Sequence, residues 1–366
     1  MTFTASSSDL LDALKTAARP ISGSVQMPVL EEVLATRENG LLVLRGTDLE
    51  THVLTRTAVD WNAEHAQGPA AATLPAKRLK KTLQSLPDTP VEVDVGDDYH
   101  VTLRTDQGTY ETAGRDGQDF PDLPEIEDGR AVPAGELETA FQKTEPFTDH
   151  DGLRPAMEGV KLELKNGHPR AVATDGHRLS RLDLNLPSAG RDVVVPTKGV
   201  SLMQSVMREE ATFEVGEGHV ALDTGQTTVY SLLIDETFPN HEAVVPSNNN
   251  QILRVDRASF QSAAERVGLY AESETSQLRL KITSDQLQVS AQDVGRGAEA
   301  AETIGCEYDG EDMEIGFNAG YLAEVLGAAE GDEVEMRLGS PTDAATVHPS
   351  GDDDHLMLLM PVMLGK

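Results

Sequence analysis

A repeat about one domain long is the feature that most constrains how this chain can fold. Three short segments share one pattern, in which an extended start leads at once into a short helix. Their matching residues Pro75, Pro196 and Asn318 lie 121 and 122 residues apart. A second pattern recurs in the same order, with Phe120-Pro121 and Phe238-Pro239 at a spacing of 118 residues. Tandem copies of a whole domain usually build a shaped surface rather than one catalytic cleft.

The repeat divides the 366 residues into three predicted domains, which we place at residues 1–126, 127–250 and 251–366. Runs such as Leu41–Arg45 and Leu278–Ile282 alternate apolar and polar residues, which is typical of half-buried strands. Each copy also has two helical segments. Two helices and about eight strands per copy predict an α+β fold, with the helices on one face of antiparallel sheets. The helices that open the three copies are predicted over Ser6–Ala18, Pro133–Phe147 and Asp256–Tyr270.

Composition argues against several classes of protein. No apolar run approaches the 18 or so residues of a membrane span. The start, Met-Thr-Phe-Thr-Ala-Ser, lacks the basic and apolar regions of a signal peptide. The single cysteine, Cys306, cannot form an internal disulfide, which fits a reducing compartment. We therefore expect a cytoplasmic protein with no membrane segment.

The net charge is strongly negative. Lysine and arginine number 30 against 62 acidic residues, which leaves a formal charge of −32. Such a charge ordinarily indicates a protein that avoids nucleic acid, because phosphate binding needs clustered cations. A second interpretation is a salt-rich cytoplasm, in which ions screen the repulsion within a carboxylate-dense surface. We keep this halophilic adaptation as a hypothesis.

One segment runs against the overall charge. Lys77, Arg78, Lys80 and Lys81 place four cations in five residues at the start of a helix predicted over Ala76–Ser85. The apolar residues of that helix recur at helical spacing, so the cations are expected on its outward face. A solvated helix face explains any one such cation, but these cations and those of the other predicted helices together suggest a modestly basic surface. The other predicted helices carry Lys15, Arg19, Lys143, Lys198, Arg208, Arg257 and Arg266.

The sequence lacks the familiar catalytic motifs. It has no Gly-x-Ser-x-Gly elbow, no phosphate-binding loop and no His-Glu-x-x-His pair. The run from Asp352 to His355 is better explained as a surface loop between the last two strands, since hard cations need ligands arranged around a turn. A hydrolase is disfavoured because no nucleophile and base pair is visible. We expect no enzymatic activity, no cofactor and no metal.

The segment Ala173-Thr174-Asp175-Gly176-His177-Arg178-Leu179 resembles the most recognisable motif of the bacterial β sliding clamp family, the processivity subunits of replicative DNA polymerases. Met313–Asn318 with Tyr321, Phe238–Pro246 and the terminal Leu359–Leu364 are also similar to that family. The similarity covers all three predicted domains in order and at near-family spacing.

This resemblance implies a head-to-tail homodimer whose six domains close a ring around double-stranded DNA of any sequence. The helices would line the hole and the sheets would form the outer shell. A ring holds DNA by topology, so weak contact suffices, and strong phosphate binding would impede sliding. The residues implied to face DNA are Lys15, Lys77, Arg78, Lys80, Lys81, Lys143, Lys198, Arg208, Arg257 and Arg266.

The resemblance also implies a groove between the second and third domains that accepts short peptides. Its partners in the family are the replicative polymerase, the clamp loader, other DNA polymerases and repair proteins. Met, Leu, Val and Pro side chains can line a small apolar pocket that repacks around different Leu or Phe anchors. The matching residues are Met157, Thr174, Gly176, His177, Arg178, Leu179, Pro239, Val244, Tyr321, Leu358, Met360, Pro361 and Val362.

The family's subunit contact is matched only in part. Gln107 and Thr109 occupy positions where cations are expected, so the ion pairs of the dimer are in doubt. A more apolar interface is expected instead, and exposed ion pairs would contribute little in high salt. The acidic side of the contact is kept at Glu299 and Glu302, and the expected apolar residues are Tyr110, Leu269 and Tyr270.

Two further departures leave an alternative open. Ser24 and Gln26 stand in a loop where the family would place an arginine. Met363 occupies the place of a penultimate arginine, and Gly365-Lys366 extends past the usual end. The alternative is a clamp paralogue that keeps the fold and the groove but has an accessory or resistance role.

Overall fold

The computed structural model describes residues 1–21, 27–62 and 69–364. The departures at Ser24, Gln26 and Gly365-Lys366 lie outside the described residues. The chain forms two compact units. Unit 1 consists of Met1–Gly135 and Lys198–Leu233, and unit 2 consists of Glu136–Thr197 and Ile234–Lys366. In the part of the chain that the structure describes, no helix has the length and apolar character needed to cross a membrane.

Six α-helices lie in the described residues, two in each predicted repeat. The helix predicted over Ala76–Ser85 has those bounds in the structure. The first and fifth helices begin one residue later than predicted because Ser6 and Asp256 are N-caps, whose side chains accept hydrogen bonds from the N–H groups of Asp9 and Ser259. The helices are α1 (Ser7–Ala17), α2 (Ala76–Ser85), α3 (Leu137–Thr144), α4 (Thr197–Gln204), α5 (Arg257–Gly268) and α6 (Ala319–Ala328).

The prediction for α3 is wrong at both ends. Arg130–Pro133 is a strand, and Pro133 pairs with Thr212, so the helix cannot begin there. At the other end the chain tightens into the 3₁₀ helix Glu145–Phe147. Pro146 lacks the N–H that an α-helix would need at this place, which explains the change.

The strands pair antiparallel throughout the described residues. They are β1 (Thr2–Ser6), β2 (Val33–Glu38), β3 (Leu41–Thr47), β4 (Thr51–Thr57), β5 (Asp60–Trp61), β6 (Ala71–Leu74), β7 (Pro90–Val95), β8 (His100–Thr105), β9 (Gly108–Ala113), β10 (Arg115–Asp116), β11 (Arg130–Pro133), β12 (Gly159–Glu163), β13 (Arg170–Thr174), β14 (Arg178–Asp183), β15 (Val193–Pro196), β16 (Thr212–Val215), β17 (His219–Asp223), β18 (Thr227–Leu232), β19 (Gln251–Asp256), β20 (Gln277–Ile282), β21 (Gln286–Asp293), β22 (Ala298–Tyr308), β23 (Met313–Asn318), β24 (Glu333–Leu338), β25 (Ala345–Pro349) and β26 (His355–Leu359).

Unit 1 has two sheets with helices packed against them. The five-stranded sheet has the order β5-β1-β7-β8-β9, and the nine-stranded sheet has the order β10-β6-β2-β3-β4-β18-β17-β16-β11. Phe3 and Leu44 come from the two sheets, and Leu14 and Leu79 come from α1 and α2. All four are buried in one core, so the apolar stripe predicted for α2 does face inward.

Unit 2 is organised around one long sheet. Its order is β15-β12-β13-β14-β26-β25-β24-β19-β22-β21-β20-β23. Phe141 of α3 and Phe260 of α5 are fully buried, as is Leu322 of α6. Both long sheets join strands of different repeats, since β4 pairs with β18 and β14 pairs with β26. The three-repeat α+β fold is therefore confirmed, while the boundaries placed at residues 126 and 250 stay predictions.

The Asp352–His355 segment differs from the predicted surface loop at its last residue. His355 is the first residue of β26, pairs with Leu182 and is fully buried. Within residues 1–21, 27–62 and 69–364, no group of three or more His, Cys, Asp or Glu side chains is arranged to hold a metal ion.

Candidate partner groove and DNA-facing helices

The groove predicted from the sequence is built around the turn between β13 and β14. The Thr174 hydroxyl donates to the carbonyl of Arg178 at 2.7 Å, and Asp175 Oδ1 accepts from the N–H of His177 at 2.8 Å. Gly176 has a φ of +86°, a conformation that glycine adopts without a Cβ penalty. The local sequence Thr-Asp-Gly therefore closes the turn by itself.

The last strand brings the chain's terminal segment against this turn. Leu179 of β14 lies opposite Leu358 of β26. Beyond β26, the N–H of Met360 donates to the carbonyl of His177 at 2.8 Å, and that of Val362 donates to Gly316 at 2.9 Å. Pro361 between them has no N–H to pair. Residues 358–362 thus lie beside the turn.

Arg178 ties the turn to α6. Its Nε donates to Asp175 Oδ2 at 3.0 Å, and its Nη1 pairs with Glu324 of α6. The guanidinium also lies 4.7 Å from the ring centroid of Tyr321, and the His177 ring stacks on the same tyrosine at 5.8 Å. Arg178 is only 6% exposed, so its charge must be paired to be tolerated. Burial raises the pKa of Tyr321.

The predicted groove residues divide into a buried floor and an exposed rim. Leu179 and Leu358 are buried in one apolar cluster with Phe238. Val244 is 53% exposed and Met360 is 40% exposed, which leaves both side chains free to contact a ligand. Pro239 directly follows Phe238 and is half-buried. An apolar floor with an adaptable Met and Val rim suits an apolar anchor residue of a peptide.

Sequence reasoning missed Arg154. Its guanidinium lies beside Gly176, with Nη1 2.5 Å from the place that a Cβ would occupy, and its Nε is 2.9 Å from Asp149 Oδ2. The N–H of Asp149 donates to the carbonyl of Met157 at 2.9 Å, which connects Met157 to the same surface. The sequence signal was the spacing of Asp151 and Arg154, which pair three residues apart.

The predicted role of Lys143 needs correction. Its side chain is 9% exposed, and its Nζ lies 3.2 Å from Glu330 Oε2. A buried and paired ammonium is not available to an external phosphate. The sequence could not show this, because Glu330 follows α6 and is far from Lys143 along the chain.

Two more predicted DNA-facing cations have carboxylate partners. Lys198 bonds Asp48, which belongs to the Thr-Asp turn of the first repeat. Burial alone would raise the pKa of Asp48, but the bonds from Lys198 and Thr51 leave it lowered. Arg266 makes a two-pronged pair with Glu302, with distances of 2.9 Å and 2.6 Å. Hydrogen bonding from Arg266 also lowers the pKa of Glu302.

The cations of α2 differ from Lys143, Lys198 and Arg266, which are paired with carboxylates. Among the described residues, Lys77, Arg78, Lys80 and Lys81 make no ion pair with a carboxylate at 4.0 Å or less, and Lys77, Arg78 and Lys81 are exposed. These three line a cavity of about 640 Å³ in unit 1. Of the remaining predicted cations, Lys15 lies 3.8 Å from Asp12. Arg208 and Arg257 donate to the carbonyls of Met207 and Gly331, and Arg78 likewise donates to a neutral oxygen, the Thr112 hydroxyl, at 3.2 Å.

Two strand edges carry the residues predicted for the subunit contact. β9 ends the five-stranded sheet of unit 1 and bears Thr109 and Tyr110 just after Gln107. In unit 2, the end of β22 from Cys306 on pairs with β19, whereas residues 298–305 of β22 pair with β21 alone. The part of β22 that contains Glu299 therefore has one unpaired edge. Leu269 is 82% exposed, and Tyr270 is 47% exposed.

The same three-part organisation appears when the chain is compared with known families. Its residues 1–124, 131–240 and 242–363 match the N-terminal, central and C-terminal domains of the DNA polymerase III beta subunit. The chain belongs to the bacterial beta sliding clamp family. The family's beta sliding clamp from Pseudomonas aeruginosa is 30% identical over 373 residues, which cover 100% of both chains.

Solved clamp structures agree with this membership. The DNA polymerase sliding clamp of Pseudomonas aeruginosa is 29% identical, with a TM-score of 0.92 over 100% of each chain. The clamp of Bartonella birtlesii bound to griselimycin is 28% identical, again with a TM-score of 0.92 over 100% of each chain. The matched proteins are named as clamps, and nothing in them favours the accessory or resistance role left open by the sequence.

Proposed function

We propose that two copies of this chain close head to tail into a ring around duplex DNA and tether the replicative polymerase to it. Family membership supports the sliding clamp function itself. The finer assignments to this chain are that the groove in unit 2 docks the polymerase, the clamp loader, other polymerases and repair proteins, and that the protein acts in the cytoplasm. No cofactor and no catalytic step enter this function.

One observation carries the groove assignment. The Thr174–Leu179 turn, Tyr321 and residues 358–362 come from distant parts of the chain, yet they meet on one surface. That surface has a buried apolar floor and an exposed apolar rim. Burying the apolar anchor of a short peptide there would supply the binding free energy, and neighbouring backbone groups would set its orientation.

The strand edges support the dimer. An unpaired edge such as β9 is a ready template for another strand, and a head-to-tail contact would cover it with the edge of β22 from a second copy. Exposed Leu269 and Tyr270 lie next to α5 and would be buried in such a contact. This is the more apolar interface that the sequence predicts.

The groove is tested by binding of a labelled Gln-Leu-x-Leu-Phe-type peptide to wild type and to a Met360→Asp variant. Met360 is 40% exposed and lies beyond β26, so the substitution should leave the fold intact. A carboxylate on the rim should cost about 2 kcal/mol, or roughly thirtyfold in Kd. Fluorescence polarisation measures this loss directly.

The matched control is Leu232→Asp in unit 1, since Leu232 is also 40% exposed and lies outside the groove residues. It should bind the peptide as wild type does. Peptide binding that survives Met360→Asp, or that falls equally in Leu232→Asp, would contradict the groove assignment.

A further inference from the structure

One wall of the groove is a segment with no strand of its own. Every residue from 233 to 250 is described, and none lies in a strand. Within this segment Phe238 is buried in the apolar cluster, while Val244 closes the 3₁₀ helix His241–Val244 and is exposed. Strand pairing therefore does not position Pro239 and Val244, which leaves that role to the side chains that join the segment to the neighbouring sheet.

The first set of side chains surrounds His241. This residue is only 3% exposed, and its Nε2 lies 3.0 Å from Glu163 Oε1. The same carboxylate oxygen accepts from Lys161 Nζ at 2.7 Å. Lys161 Nζ also lies 5.6 Å from the centre of the Phe238 ring. The Phe238 and His241 rings are packed edge to face, with their centroids 6.5 Å apart. Lys161 and Glu163 share one face of β12 because they alternate along the strand.

The second set of side chains surrounds Glu242, the residue after His241. Glu242 pairs with Arg170 of β13, and Arg170 Nε is 2.9 Å from Asp183 Oδ1 of β14. Arg181 Nη1 lies 4.0 Å from the same Glu242 carboxylate. Adjacent residues of the 3₁₀ helix are thus fastened to three neighbouring strands.

Solvent exposure separates these two sets. The side chains of Lys161 and Glu163 are 19% and 22% exposed, whereas Glu242 is 58% exposed. Salt screens partly buried pairs much less than exposed ones, so the His241 set is the firmer of the two in a salt-rich medium. Hydrogen bonds from His241 and then Lys161 lower the pKa of Glu163 to about 2, against the effect of burial, so the carboxylate stays ionised at neutral pH.

We propose that His241, Glu163 and Lys161, assisted by Glu242 and Arg170, are positioning residues that set the Pro239–Val244 wall of the groove and thereby its affinity for the apolar anchor of partner peptides. This rests on the proposed role of the groove. None of the five needs to touch the peptide. Phe238 and Val245 anchor the two ends of the segment through the apolar cluster, and the polar contacts of His241 and Glu242 fix the part between them that the peptide would meet.

The test compares Glu163→Gln with Glu335→Gln. Glu335 is a close match, since it lies on a strand, is 15% exposed and accepts from two cations, Arg254 at 2.9 Å and Arg337 at 2.7 Å. Among the described residues, the Glu335 carboxylate bonds these two arginines and makes no hydrogen bond or ion pair with residues 233–250. Both variants lose one carboxylate, so a similar fall in Tm is expected. Only Glu163→Gln should move the groove wall.

Two measurements are made on each full-length variant. The first is the methyl NMR spectrum of Val244 in valine-labelled protein, assigned with a Val244→Ala sample, which reports the position of the wall without any peptide. The second is the Kd of the labelled Gln-Leu-x-Leu-Phe-type peptide. Glu163→Gln should shift the Val244 resonances and weaken binding about tenfold. Glu335→Gln should change neither.

Glu242→Gln serves as a second test with a smaller expected effect on folding, because Glu242 is 58% exposed. It should shift the same resonances and weaken binding by a factor of about three. Unshifted Val244 resonances in both Glu163→Gln and Glu242→Gln would overturn the positioning role. So would an equal loss of binding in Glu335→Gln. If the wild type binds no peptide, the groove itself is refuted. The Val244 spectra are recorded without peptide, so they test the positioning role separately from the groove.

Discussion

His355 shows how much one side chain depends on its burial here. Ser180 Oγ donates to the carbonyl of Lys143 at 2.8 Å, so its oxygen accepts from His355 Nε2 at 3.0 Å. Burial lowers the pKa of His355 from 6.5 to about 4, and the nearby charge of Lys143 adds to the effect. Asp352 opposes it, and His348 acts in the same direction as Lys143. The folded protein therefore keeps this imidazole neutral.

A pH-dependent stability follows. The unfolded chain binds a proton at His355 below pH 6.5, whereas the folded chain does so only near pH 4. The stabilisation is full above 6.5 and is lost as the pH falls toward 4, for a total of about 3 kcal/mol. A His355→Gln variant should lack this part of the dependence in denaturant unfolding measured at several pH values. The exposed His168→Gln is the control, and an unchanged pH slope in His355→Gln would contradict the account.

A second residue-scale feature repeats between domains. The turns at Thr47–Thr51 and Thr174–Arg178 have the same bonds, with a threonine hydroxyl donating to a carbonyl four residues on. The residue after the aspartate has a positive φ in both, +81° at Leu49 and +86° at Gly176. Leu49 is half-exposed, but Arg154 crowds Gly176. Glycine suits the groove copy because its φ is positive, and a Cβ there would also require the Arg154 guanidinium to shift.

At the scale of elements, the six helices are not equivalent. Lys143, Lys198 and Arg266 of α3, α4 and α5 are paired with carboxylates, whereas among the described residues no cation of α2 is. Lys77, Arg78 and Lys81 line an open cavity whose lining also includes Glu31 and Glu32. In a chain of net charge −32, this leaves α2 as the helix best able to attract a phosphate backbone. Contact with DNA should therefore be concentrated at α2 rather than spread over all helices.

We expect the triple variant Lys77→Ala, Arg78→Ala, Lys81→Ala to weaken duplex binding. Each phosphate contact contributes roughly 0.9 to the slope of log K against log salt, so the slope should become shallower by about three. Anisotropy of a labelled duplex at several KCl concentrations measures it.

The matched control removes the same three charges from exposed strand and turn positions, Arg130→Ala, Lys165→Ala, Lys281→Ala. Peptide binding should be unchanged in both triple variants. An equal loss of slope in the control would mean that only net charge matters and that α2 has no special role.

At the scale of the whole molecule, the proposed dimer would have to form without many ion pairs across its contact. Gln107 and Thr109 carry no charge, and Glu302 is already paired with Arg266 in its own chain. In molar salt the Debye length falls to roughly 3 Å, so exposed pairs would add little in any case. The exposed apolar surface of Leu269 and Tyr270 is the better source of dimer stability.

Leu269→Asp should convert the dimer to monomer at low and at molar KCl, because a carboxylate would replace an apolar contact. Sedimentation velocity measures the change. Leu153→Asp is the control, since Leu153 is 80% exposed against 82% for Leu269 and is not at either strand edge. A Leu269→Asp protein that stays dimeric would refute this interface.

The halophilic hypothesis stays a prediction at the same scale. Thermal unfolding of the wild type should show a higher Tm in molar KCl, because the ions screen repulsion among the 62 acidic side chains. A Tm that does not rise between low and molar KCl would contradict the hypothesis.

The repeat, most element bounds and the turns follow from the order of residues along the chain. Helical spacing in α2, capping by Ser6 and Asp256, and the Thr-Asp-Gly turn depend on residues a few positions apart, so they can be read locally. The family motif added the groove and ring expectations. Local patterns failed at α3, where pairing of β11 replaced the predicted helix start and a 3₁₀ turn replaced its end, and at His355, which is buried in β26.

The tertiary structure alone decided which repeats share a sheet and which charges are free. The hydroxyls of Thr55 and Thr227 lie 3.1 Å apart although 172 residues separate them, and β14 meets β26 in the same way. Lys143 meets Glu330, and His241 meets Glu163, through chain crossings that no local pattern records. Local periodicity encodes which face of an element is buried, but the partner of that face is set by packing across the whole chain.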